Sequence, residues 1–86
     1  MKKTEFCNNR NMISKQLKIA RVKAGLTQSQ LAAKMQVLNI NIDQQMISKI
    51  ENDRRVVTDY ELACFCKILM VDEKVLLKDF YDRFTV

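Results

Sequence analysis

Gly25-Leu26-Thr27-Gln28-Ser29-Gln30-Leu31-Ala32, followed by Met46-Ile47-Ser48-Lys49-Ile50-Glu51-Asn52, decides how this chain folds. Each stretch encodes a short amphipathic helix with its own start signal. Thr27-x-x-Gln30 is a capping box: the hydroxyl accepts from the third backbone N–H and Gln30 reaches back. Leu31, Met35 and Leu38 then share a face, so this helix is expected to run to about Leu38. Asp43 is a good N-cap for the next helix, its charge suiting the helix dipole. There Ile47 and Ile50 face inward. Gln44, Gln45, Ser48, Lys49 and Asn52 face outward or sit at the ends.

The same periodicity continues on both sides. A helix from about Asn11 or Met12 to Ala24 is written by Ile13, Leu17, Ala20 and Ala24, with Lys15, Lys18 and Lys23 outside. Gly25, the only glycine, supplies the left-handed residue that ends it. Thr58-x-x-Glu61 opens a fourth helix with a second capping box, and Leu62, Phe65, Cys66 and Leu69 form its core face. A fifth starts near Asp72 with Val75, Leu76, Phe80 and Phe84. Strand-like alternation is nearly absent, and so are repeats and linkers. The expectation is an all-α fold of five short helices around one core. Residues 11–86 form the domain and residues 1–10 a flexible N-terminal arm.

Composition narrows the function. At 86 residues with 48% apolar content, the chain supports one small core. No run approaches a membrane span, and the N-terminus has basic residues but no apolar signal core. The expected location is cytoplasmic. Three cysteines, Cys7, Cys64 and Cys66, make no disulfide framework. Without any His a zinc site lacks a ligand, so they read as small apolar fillers, and no metal or cofactor is expected. With no His base, no paired carboxylates and no nucleophile motif, an enzyme is not expected. Residues 1–49 carry a net charge of +7 and residues 50–86 a net charge of −2. That asymmetry fits a nucleic-acid binder, although alone it also fits a merely solvated surface.

The pattern Ile13-x3-Leu17-x3-Arg21-x3-Gly25-Leu26-Thr27-Gln28-x2-Leu31-Ala32, then Ile47-Ser48-Lys49-Ile50-Glu51-Asn52, resembles the Cro/repressor (Xre-type, lambda-repressor-like) helix-turn-helix family over about residues 12–77. The resemblance implies that the second helix crosses a DNA backbone and the third lies in the major groove. It makes Gln44, Gln45 and Lys49 the base readers. Gln suits adenine, and Lys reaches guanine O6/N7. It puts Thr27, Gln28, Ser48, Asn52, Arg54 and Arg55 at phosphates, with the Gln28 side chain near the first glutamine of the recognition helix, although a solvated turn explains Arg54 and Arg55 nearly as well. It also implies a structural ion pair, Arg21 with Glu51.

Two departures stand out. Leu31 to Glu51 spans 20 positions, longer than the family's usual spacing, with the surplus in residues 36–42. An added helical turn plus an extended loop would absorb it, leaving open whether Ile40 and Ile42 pack inward. The family also often has glycine where this chain has Gln36, Asp53 and Met70. The expected function is a sequence-specific double-stranded DNA-binding transcriptional regulator, a repressor. It is expected to act as a homodimer on a palindromic operator through Phe80, Tyr81, Phe84 and Val86. The alternative is an antitoxin-like or other protein-interaction module, with the loop at 39–42 and the aromatic tail facing a protein partner.

Overall fold

The computed structural model describes residues 9–84. Among the described residues six helices follow one another: α1 Ser14–Lys23, α2 Gln28–Val37, α3 Gln44–Glu51, α4 Asp59–Leu69, α5 Glu73–Leu76 and α6 Lys78–Arg83. Both capping boxes form. Thr27 Oγ1 accepts from the Gln30 N–H at 3.0 Å and Thr58 Oγ1 from the Glu61 N–H at 3.3 Å. Asp43 Oδ1 accepts from the Met46 N–H at 2.8 Å, while Met46 Sδ takes the Asp43 N–H at 3.3 Å.

Four helices end in the same way. After α1, α2, α3 and α4 the backbone turns left-handed at Gly25, Asn39, Asp53 and Met70, with φ of 76°, 62°, 58° and 56°. In each case that residue's N–H and the next one's bond back to two carbonyls of the last turn, the pairing of a Schellman cap. Asn and Asp tolerate this geometry; Met does so at a cost. Gln36 stays helical, α2 runs on to Val37, and the left-handed residue is Asn39. The following loop is anchored: Ile42 is fully buried, Ile40 packs half-buried on the core, and Gln36 Nε2 donates to the Ile42 carbonyl at 3.0 Å.

The core joins residues from α1 to α5 and from the α2–α3 loop. Leu17, Leu31, Met35, Ile42, Ile47, Ile50, Phe65 and Leu76 are its largest fully buried side chains. Cys64 and Cys66 are half-buried against it, and burial, helped by Glu73 and Asp72, pushes the Cys66 thiol up. Cys7 lies outside the described residues.

Several expectations are corrected. α1 starts at Ser14 rather than Asn11 or Met12, because Asn11 Oδ1 accepts from the Ile13 N–H at 3.0 Å and holds a non-helical turn. Ala24, expected in the inward stripe of α1, is exposed, and of the apolar residues expected on the fifth helix Leu76 is buried while Val75 and Phe84 are exposed. Ala24 lies at the α1 cap beside Gly25, where the chain turns away from the core. The expected single C-terminal helix is two, α5 and α6, meeting at Leu77, whose carbonyl accepts from both Phe80 and Tyr81 N–H. That break lets Leu76 point inward while Val75 and Phe84 stay at the surface. Of the arm, residues 1–8 lie outside the described residues. Arg10 is tied down: its N–H donates to Asp53 Oδ1 at 2.8 Å.

Candidate nucleic-acid interface

α3 is short and strongly two-sided. Ile47 and Ile50 are completely buried and fix the helix to the core. On the other side Gln44, Gln45, Lys49 and Asn52 are exposed, with Ser48 half-buried among them. These positions follow one another at one-turn spacing, so they share one face. Gln44 and Gln45 occupy the first turn and Lys49 the next.

The start of that face is held by a chain of hydrogen bonds that begins in the interior. Arg21 on α1 grips Glu51 at the end of α3 with two bonds, Nε to Oε2 at 2.7 Å and Nη2 to Oε1 at 3.1 Å. Arg21 Nη1 donates to the Leu26 carbonyl at 2.8 Å. Both side chains are nearly inaccessible, 11% and 3% exposed. Glu51 Oε1 also accepts from Gln28 Nε2 at 3.0 Å, and Gln28 Oε1 accepts from Gln44 Nε2 at 3.1 Å. The carboxylate fixes the orientation of the Gln28 amide, because Glu51 only accepts and Gln28 must turn its NH2 inward. Its oxygen then faces Gln44. One Gln44 N–H is spent on this bond. The other N–H and the side-chain oxygen remain, one donor and one acceptor.

Gln28 also opens α2. The capping box takes the Thr27 and Gln30 N–H groups, and the Gln28 and Ser29 N–H groups lie in the first turn, where no helical acceptor exists. Such a terminus favours an anion. Thr27, Gln28, Ser29 and Gln44 border one open hollow.

The far end of α3 is braced by a residue the sequence reading passed over. Asn11 is buried, and its Nδ2 donates to the Ile50 and Arg55 carbonyls at 3.0 and 2.9 Å. Its N–H and that of Arg10 both reach Asp53 Oδ1. The chain entering the domain is thus stapled to the chain leaving α3. The signal was faint: Asn11 looks like an ordinary helix-start residue, and its partners lie about forty positions away.

The exit residues divide. Arg54 is exposed. Asn52 folds back, its Nδ2 on the Ser48 carbonyl at 2.9 Å. Arg55, expected at a phosphate, turns inward instead. Its two terminal nitrogens bind both Glu61 oxygens at 2.9 and 3.0 Å. Glu61 must hold α4 together from a buried position, and a bidentate guanidinium is the partner that makes this tolerable. Burial pushes the Glu61 carboxyl up, but bonds from Arg55 and from the Thr58 backbone and hydroxyl outweigh it and hold it below its usual value. The Glu61 hydrogen bonds in turn raise Arg55.

At the opposite end of the chain Phe80 packs edge-on against Tyr81, with ring centroids 5.5 Å apart, and tilted against Phe84 at 4.9 Å. Tyr81 and Phe84 are 41% and 51% exposed. Val86 lies outside the described residues.

A helix-turn-helix family model matches residues 17–69, from the middle of α1 to the end of α4. The chain belongs to the Xre or lambda-repressor-like helix-turn-helix family. No curated protein matches it significantly. The family binds DNA, and its match takes in α2, α3 and the whole network from Arg21 to Gln44; α5 and α6 fall beyond it. Among the described residues no helix is long and apolar enough to cross a membrane.

Proposed function

We propose that this protein is a sequence-specific double-stranded DNA-binding repressor that reads the major groove with α3. The observation that carries the reading is the tethered first turn of that helix. Gln44 is fixed to Gln28, which Glu51 and Arg21 hold from the interior, and Gln45 and Lys49 lie beside it on the same exposed face. Base readout depends on side chains presented in one orientation, and a pre-positioned amide loses less freedom on binding than a mobile one. Gln44 still offers one donor and one acceptor, the pair adenine N7 and N6 require. Lys49 supplies a cation for guanine.

Phosphates would meet the α2 terminus at Thr27 and Gln28 on one side, and Ser48, Asn52 and Arg54 on the other. These contacts set register without reading sequence. One such helix reads only a few base pairs, so the protein works as a homodimer on a palindrome. Tyr81 and Phe84 form the dimer surface. The alternative of a protein-binding module loses its loop: Ile40 and Ile42 turn toward the core and leave only Asn39 and Asn41 outward.

Selection from a random duplex library tests this. An enriched palindrome with half-sites about one helical turn apart supports it. Absence of any enriched sequence rejects it.

A further inference from the structure

The outer face of α1 is not used by the core or by the DNA-facing network, yet it is not an ordinary polar surface. Ile19 and Val22 are 50% and 60% exposed and lie one turn apart. Lys15 stands one turn before Ile19 on the same strip of the helix, with Lys18 on one flank of the apolar pair and Lys23 on the other, all exposed. Among the described residues none of these lysines belongs to an ion pair. Past Lys23 the apolar surface continues into a shallow groove of about 380 Å³ floored by Ala20, Leu69 and Val71.

We infer that this face docks an acidic amphipathic helix from a protein partner. Two exposed apolar side chains in adjacent turns give such a helix an anchor. Three lysines around them select against a basic or neutral partner and for carboxylates on both flanks. The same charge argues against two copies joining through this face, since a two-fold contact would set Lys15, Lys18 and Lys23 against themselves. A phosphate backbone does not fit either, because it offers nothing apolar for Ile19 and Val22. A seated helix would overhang the α2 terminus, because Val22 also borders the hollow at Thr27 and Gln28.

The test uses the full chain without DNA, so its outcome is independent of the DNA-reading proposal. The probe is a labelled synthetic peptide of about four helical turns, with one leucine face and glutamates on both flanks. It is compared by anisotropy with the same peptide carrying lysines. Saturable binding of the glutamate peptide is expected, weakened at least tenfold in Ile19→Ser/Val22→Ser and in the lysine peptide. Lys18→Glu/Lys23→Glu should reverse the preference. All four positions are exposed, so the variants should unfold at the wild-type midpoint. No saturable binding of the glutamate peptide, equal binding of the lysine peptide, or binding retained by the Ile19→Ser/Val22→Ser variant would overturn the inference.

Discussion

Replacing Glu51 with alanine removes the group on which α1, α2 and α3 converge. Arg21 loses both charge-assisted bonds and keeps only the Leu26 carbonyl, in a site where its side chain is 11% exposed. Gln28 loses its inward acceptor. Stranding one partner of a buried pair costs about 3–5 kcal/mol. A domain of 86 residues has a total stability of about 4–13 kcal/mol. The variant should therefore lose at least about 12 °C in thermal midpoint, at about 4–8 °C per kcal/mol. Circular dichroism during heating, with urea titration beside it, reads this directly. A Glu51→Ala midpoint within about 2 °C of wild type would refute the reasoning. A second variant separates charge from position. Arg21→Met/Glu51→Leu leaves no stranded ion and should recover much of the stability. It still lacks the anchor for Gln28, so its affinity for the selected operator should stay reduced although it folds.

The remaining expectations concern separate parts of the fold. Ile42→Ala opens a cavity under the α2–α3 loop and should cost about 2–5 kcal/mol in urea unfolding; a smaller effect than about 1 kcal/mol would mean the loop is not anchored as described. Asn11→Ala removes the side-chain partners of the Arg55 carbonyl and the Ile13 N–H, along with a second bond to the Ile50 carbonyl, and should cost about 1–3 kcal/mol by the same assay, with a wild-type midpoint arguing against the staple. Met70→Gly should raise the thermal midpoint, since the left-handed geometry costs a side-chain-bearing residue about 1–2 kcal/mol and the Met70 side chain is 90% exposed, with little packing to lose. A lower midpoint would mean that this side chain contributes more than its exposure indicates. Because the folded carboxyl of Glu61 titrates below its ordinary value of 4.5, its contribution is present above that value and disappears as pH falls through the folded one. Acid titration of Glu61→Gln should show a shallower loss of stability over that range than wild type, and an unchanged slope would contradict the assignment.

What could be read in the sequence was local. The capping boxes at Thr27 and Thr58, the Asp43 cap and the Gly25 stop depend on residues three or four apart, and all four form. The inward stripes of α2 and α3 follow from periodicity, which buried residues obey whatever they touch. The parts that escaped are tertiary. Nothing near Asn39 marks it as left-handed more than its neighbour Asn41, because the choice is made where Ile42 reaches the core. Arg55 sits among exit residues that resemble phosphate contacts, and only the folded chain shows Glu61 six residues on, buried and in need of a cation. Asn11 is the extreme case, since its role lies wholly in its distant partners. In the interface, the exposed face of α3 was legible as a pattern. The nearness of Gln28 to the first glutamine of α3 came from the family resemblance alone, and its tie to Glu51 was not legible, because a hydrogen bond between side chains twenty-three positions apart leaves no local trace.

The central claim is that Gln44, Gln45 and Lys49 read bases while the surrounding groups hold phosphates. The most direct measurement is the ratio of affinities for the selected operator and a scrambled duplex, in wild type and in Gln44→Ala/Gln45→Ala/Lys49→Ala. It is read by anisotropy at two salt concentrations, because phosphate contacts dominate non-specific binding. With about 1–3 kcal/mol of discrimination per good base contact, the ratio should fall at least about a hundredfold in the triple variant. Affinity for the scrambled duplex should change only by the single lost charge. A triple variant that keeps the wild-type ratio would contradict the account and move recognition away from α3.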